Sequence, residues 1–301
     1  MKKDIIVTGS HRSGSTWVGN VLCATGELLY IHEPFNPINI KTNRAPLNYW
    51  FEYLSADDNT ERQESFMKYL KEYKTFRPFM LPRQLLQTEK LRDYAGLILQ
   101  QVRKLFKERA VYKDPIAIFS AEWMYEIMNF DIVVIIRHPA AFTQSLKSVG
   151  WFHDFTHFTQ QEKLMVTIPS VYQNDIDRIL SDGKMKANII EHAVLLWNII
   201  HNRIHEYRQK HPEWIFVRHE DLSNNPVELF AEIYNKLEIN FSNRARSYIK
   251  KTTESSRQSK LKRDSRSNIT KWKKMLSEEE IEFIREKTKS VSDLFYNNSD
   301  W

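Results

Sequence analysis

Gly9-Ser10-His11-Arg12-Ser13-Gly14-Ser15-Thr16 sets two glycines five residues apart, with hydroxyls and one cation around them. This GxxxxG spacing lets backbone N–H groups close around an anionic oxygen, provided a strand precedes the loop and a helix follows it. A nucleoside triphosphate grip would need a lysine after the second glycine, but that position holds Ser15 and the loop's cation is Arg12. A second candidate is Arg137-His138-Pro139, with Ser145 eight residues past the arginine. A metal-dependent ATPase wants an aspartate at the end of such a strand, whereas a guanidinium there repels Mg²⁺ and attracts an anion. Taken alone, an arginine at Arg137's position more commonly caps a neighbouring carbonyl. Together the two motifs imply a ligand bearing two separated anionic groups.

The elements that must position these residues are legible from spacing. Residues 4 to 8 read as a buried strand, and Trp17, Val18, Val21 and Leu22 recur at helical spacing after the loop. Leu28 to Ile31 reads as a second strand, ended by the two prolines of His32-Glu33-Pro34-Phe35-Asn36-Pro37. Ala110 to Tyr112 and Asp131 to Ile136 read as two further buried strands, and Trp214 to Val217 as a fifth. Ile189, Ala193, Leu196, Trp197, Ile200 and Ile204 predict a long amphipathic helix over 186–208. Short apolar strands alternating with helices predict an α/β fold: a central parallel sheet flanked by helices, with ligands at the carboxyl ends of the strands. With no repeat or linker visible, residues 1–301 read as a single domain with a helical insertion at about 46–108.

Composition narrows the function classes. A chain of 301 residues, 42% hydrophobic and 13% aromatic, can bury a sizeable core, which excludes a disordered protein. The net charge of +6 favours anionic ligands without requiring nucleic acid. Residues 250–274 concentrate ten Lys or Arg against Glu254 and Asp264, a basic segment that is either a solvated face or a cover for phosphates. Cys23 is the single cysteine, so no internal disulfide is expected, and a reducing cytoplasm is the expected setting. No apolar run is long enough for a transmembrane segment.

HRSGSTWVGNVL and VVIIRHPAAFTQSLKS together resemble the 5′-phosphosulfate loop and the 3′-phosphate motif of sulfotransferases that use 3′-phosphoadenosine 5′-phosphosulfate (PAPS). IHEPFNP, VRHEDLSNNP and the basic tail leading into ITKWKKMLSEEEIEFI agree with that resemblance. It implies the P-loop-like architecture of that family, PAPS as sulfuryl donor, adenosine 3′,5′-bisphosphate as product, and no metal. It implies Arg12, Ser13, Gly14, Ser15 and Thr16 around the 5′-phosphosulfate, Trp17 and His219 beside adenine, and Arg137 and Ser145 on the 3′-phosphate. Arg12 stands where many soluble members carry lysine. Arg263, Arg266 and Lys271 are candidates for closing over the 3′-phosphate, although the arginine-lysine-glycine signature of cytosolic members is missing.

For the catalytic base, the resemblance points to Glu33 in the Glu-Pro pair, as in carbohydrate-modifying and bacterial relatives, with a raised carboxyl pKa suited to taking a hydroxyl proton. A salt bridge from Glu33 to Arg12 or Lys113 is the alternative. Lys113 itself would either donate to the sulfonyl group or hold Glu33, and His32 should turn away if the backbone is extended.

The expected function is sulfuryl transfer to an acceptor hydroxyl on a carbohydrate or another small alcohol. The alternatives are a nucleotide-dependent kinase, which the missing loop lysine and Arg137 disfavour, and a non-catalytic nucleotide- or polyanion-binding protein. No nucleic-acid partner is expected, since the aromatics are not interleaved with the basic cluster. The insertion offers a face for a homodimer. Phe35, Tyr49, Trp50, Phe51, Trp151, Phe152, Phe155 and Phe158 are candidates for the acceptor wall.

Overall fold

The computed structural model describes residues 2–39, 45–76, 98, 102–181, 188–253 and 269–301. Five strands, β1 (Ile5–Gly9), β2 (Leu29–His32), β3 (Ala110–Lys113), β4 (Asp131–Ile136) and β5 (Ile215–Arg218), form one sheet in the order β2-β3-β1-β4-β5, every pair parallel. β-branched and other apolar residues fill these strands because both sheet faces are covered. Ile6, Tyr112, Val134 and Ile136 pack on one face, and Ile5, Val7, Val111, Val133 and Ile135 on the other. Each strand begins and ends within one or two residues of the sequence-based expectation.

On one face lie α1 (Ser15–Leu22), α6 (Pro226–Lys236) and α7 (Asn243–Thr253). The other face is covered by α2 (Thr60–Lys74), α3 (Pro139–Lys147), α4 (Ile189–Lys210) and the C-terminal α8 (Glu278–Ser292). The short α5 (His219–Asn224) follows β5 directly. The expected amphipathic helix over 186–208 is α4, but it is not one-sided: residues 192–201 are buried all round. α4 packs against α3 and α8, so no face through this stretch meets water. Its expected first residues, 186 and 187, lie outside the described residues, as does much of the expected insertion, whose described residues include α2 and a helical stretch at 102–106. Among the described residues no helix is long and apolar enough to cross a membrane.

β1 is central, flanked by β3 on one side and β4 on the other. Connections leaving β1 and its neighbours therefore diverge at their carboxyl ends, which opens a crevice there. Gly9 makes the exit from β1 possible. With φ near +141°, an added Cβ would lie 2.3 Å from the Ile135 carbonyl oxygen, closer than any side chain tolerates.

Candidate functional site

A cavity of about 740 Å³ occupies this crevice. Every strand sends a residue or loop to it: the 10–17 loop after β1, Glu33 after β2, Pro115 and Ile116 after β3, Arg137 after β4 and His219 after β5. The two motifs that were separate in sequence meet there. Arg12 Nε donates to Ser145 Oγ at 2.8 Å, and Arg137 Nη1 donates to the Arg12 carbonyl. Pro139 opens α3, as its fixed φ favours, and carries Ser145 to the cavity one and a half turns later.

Gly14 caps α1 with φ near +94°. A Cβ there would meet His219 Nδ1 at 2.5 Å, so only glycine lets the loop lie against the imidazole. Thr16, Trp17, Gly14 and Ser15 border the cavity at the start of α1. There the unsatisfied amides and the helix dipole favour an anion. Ser13 does not border it: its side chain is buried beneath the loop, and its Oγ has no partner among the described residues. Any contact from Ser13 to a ligand must come from its backbone.

In the Arg218-His219-Glu220-Asp221 run, adjacent residues divide their roles. Arg218 binds Asp221 and Asp300, and Glu220 accepts from the His138 amide at 3.1 Å and from Tyr296 Oη at 3.0 Å. These bonds tie the ends of β4 and β5 to the C-terminal segment. His219 is the member that reaches the cavity. Burial, then the Arg137 charge, lowers its pKa to about 3, so its ring is neutral, and neither ring nitrogen has a partner among the described residues.

Glu33 leaves β2 with a left-handed φ near +43°. One carboxyl oxygen pairs with the Lys113 ammonium, and the other accepts from Asn36 Nδ2 at 2.8 Å. Burial alone would raise this carboxyl, but the hydrogen bonds from Lys113 and Asn36 and the Lys113 charge bring it below the ordinary carboxylate value. The raised pKa expected for Glu33 is therefore corrected. Of the two salt bridges considered, the one to Lys113 is formed. Lys113 is fully buried and does not border the cavity, which leaves it holding Glu33 rather than reaching a substrate. His32 lies outside the cavity, exposed, with Nε2 3.9 Å from Glu33 Oε2. Asp114, beside Lys113, accepts from the Phe35 and Ile116 amides and thereby fixes the loop that carries Glu33. Burial pushes its carboxyl up to about 7.

Of the aromatic wall candidates, Trp50 and Trp151 line the cavity, half-buried, with ring centroids 5.6 Å apart. Phe35, Phe51, Phe155 and Phe158 belong to the hydrophobic core instead. Glu52 anchors the turn bearing Trp50, accepting from the Asn48 and Tyr49 amides and from Arg62. Lys271 reaches the cavity, whereas Arg263 and Arg266 lie outside the described residues.

Tyr248, Lys251 and Thr252 on α7 also border the cavity; the latter two fall in the basic 250–274 segment singled out in the sequence, but sequence reasoning missed Tyr248 and the bond by which Thr252 Oγ1 accepts from Trp17 Nε1 at 3.1 Å. Their helical spacing of three and four was a usable signal, but nothing local tied α7 to a tryptophan 235 residues away. It also missed His11 and Asn36.

The family model described as the sulfotransferase family matches residues 4–243. Among solved structures, the chain is similar to the sulfotransferase domain from the curacin biosynthetic pathway, with 16% identity, a TM-score of 0.50 and 99% of both chains covered. It is also similar to the sulfotransferase domain from the Synechococcus PCC 7002 olefin synthase, with 15% identity, a TM-score of 0.45, and coverage of 99% of this chain and 97% of that one. A mouse sulfotransferase, SULT7A1, complexed with PAP, shows 10% identity and a TM-score of 0.44 over 98% of this chain and 88% of that one. No curated protein sequence matches.

Proposed function

Because the chain belongs to the sulfotransferase family and is an enzyme of sulfuryl transfer, we propose that its donor is PAPS and that the cavity at the carboxyl end of the sheet is its active site. The observation that carries this reading is the convergence of the two anion-binding motifs through the Arg12–Ser145 hydrogen bond. The residues fit a nucleotide with two separated anionic groups. Gly14 leaves a cradle that a Cβ would fill, and the His219 nitrogens await partners. Arg12 and the amides of Gly14 to Thr16 hold the 5′ anion, Arg137 and Ser145 the 3′-phosphate, and Trp17 and His219 flank the base. When bound, such a donor supplies an activated sulfuryl group, with adenosine 3′,5′-bisphosphate as the leaving group.

Glu33 accepts the proton of the acceptor hydroxyl as its oxygen bonds to sulfur. The lowered pKa keeps the carboxylate ionised at neutral pH, and Lys113 and Asn36 fix its direction. Arg12, permanently charged, stabilises the charge developing on the departing oxygen and is not the proton donor to it. No step asks for a metal.

Calorimetry with adenosine 3′,5′-bisphosphate, with adenosine 5′-phosphate as control, tests the reading. Binding that requires the 3′-phosphate and weakens in Arg137→Ala is the expected result. Mg²⁺-dependent ATP binding without bisphosphate binding would instead assign the cavity to a kinase.

A further inference from the structure

Starting from the sulfuryl-transfer reading, we infer that His11 orients the acceptor, and that the acceptor is an uncharged alcohol with a flat apolar face. His11 is 5% exposed, borders the cavity and has a buried Nδ1 with no partner among the described residues. Its ring is held at 4.4 Å from Trp151, 5.1 Å from Phe142 and 5.8 Å from Phe51, centroid to centroid. Leaving a buried polar atom unpaired costs about 1–3 kcal/mol, which a ligand hydrogen bond recovers. Burial, reinforced by the Arg12 charge, takes the imidazole down to about 3. It is therefore neutral and offers one donor and one acceptor nitrogen, suiting a hydroxyl better than a carboxylate or sulfate.

The surroundings of His11 set the class. Trp151 touches both His11 and Trp50, and Ile116 adds an apolar surface to the same cavity. Glu33 and Asn36 supply the polar edge. Arg12 marks the junction with the cationic half that holds Arg137, Lys251 and Lys271. The charges of Arg12 and Glu33 act on His11 with opposite signs, and Glu33 is paired with Lys113, so the position beside His11 selects for neither an anion nor a cation. Two half-buried indoles suit a planar or sugar-like apolar face.

The test is calorimetry on protein saturated with adenosine 3′,5′-bisphosphate, using 2-indanol and indane-2-carboxylate as probes that share the indane ring and differ in the charge of its substituent. 2-Indanol is expected to bind, and the carboxylate to bind at least about tenfold more weakly. His11→Phe keeps the ring but removes the nitrogens and should weaken 2-indanol about tenfold, with bisphosphate affinity changed less than about twofold. His11→Asn, whose amide reaches the Nδ1 position, should restore most of the loss. Carboxylate binding as tight as the alcohol, or no 2-indanol binding, overturns the acceptor class. Unchanged 2-indanol affinity in His11→Phe, or no recovery in His11→Asn, reduces His11 to a packing residue. Failure of the wild-type protein to bind the bisphosphate would instead remove the donor reading beneath the inference.

Discussion

At the amino ends of β1, β3 and β4, Arg109 donates to the Lys3 and Leu237 carbonyls and to Asp131, while Asp4 accepts from Lys74 and from the Ala110 amide. At the carboxyl end of the sheet, after β1 and β5, the Oγ atoms of Ser10 and Ser13, His11 Nδ1 and both His219 nitrogens are buried without partners among the described residues. In the first region Arg109, Asp131, Asp4 and Lys74 are paired with opposite charges or backbone groups. The second gathers Arg12, Arg137, Lys251 and Lys271 around a cavity with one salt-bridged carboxylate, Glu33. Bonds already made at one end stabilise the fold. Bonds left unmade at the other forgo stability that a ligand supplying those partners would restore.

Mutations should separate the two ends. Glu33→Gln is expected to lower turnover by about 10²- to 10⁴-fold, the usual worth of a positioned base, with bisphosphate affinity retained. A steady-state assay paired with calorimetry checks this, and equal losses in both would show that Glu33 only shapes the nucleotide site. At the opposite end, Arg109→Ala should cost about 3 kcal/mol of unfolding free energy, because it leaves Asp131 and two carbonyls without their donor. Denaturant unfolding measures that loss, and nucleotide affinity should not change. Arg137→Ala should show the inverse pattern: bisphosphate affinity down about 100-fold, or about 2.7 kcal/mol, with a smaller change in stability.

Acid should weaken the fold through its buried imidazoles, two of which, His11 and His219, border the cavity. His11 and His219 are held at about 3, whereas an imidazole in the unfolded chain titrates near 6.5. The stability they permit is intact above about pH 6.5 and declines as pH falls from there towards 3, by up to about 1.4 kcal/mol per unit for each ring. Glu33, with its lowered pKa, keeps its contribution until pH falls past the ordinary carboxylate value of about 4.3, so its loss begins below about pH 5. Thermal melts between pH 7.5 and 5 should show the decline, and His219→Gln should flatten it. The smallest effect belongs to Lys271→Ala. This exposed cation at the cavity rim should contribute at most about 1 kcal/mol, lost at high salt.

The parallel strands were legible because short apolar runs ending in Gly9, Pro34 and Pro139 leave few other readings. The two motifs that meet at the cavity were legible because loop spacing is a local property. α4 was misread as one-sided because its periodicity records where apolar residues recur, while α3 and α8 cover its remaining faces. The Glu33 pKa was misjudged because its sign depends on Lys113, 80 residues along the chain, which parallel pairing of β2 with β3 brings to it.

By itself the sequence determined which segments become strands and which glycine loop joins β1 to α1, since both follow from side-chain patterning and glycine spacing over a few residues. The tertiary structure alone decided which polar groups meet. It set Ser145 against Arg12 and Lys113 against Glu33, brought Thr252 to Trp17, and buried His11 unpaired beside Trp151. Sheet order and helix packing fix those distances, and no local pattern in the chain encodes them.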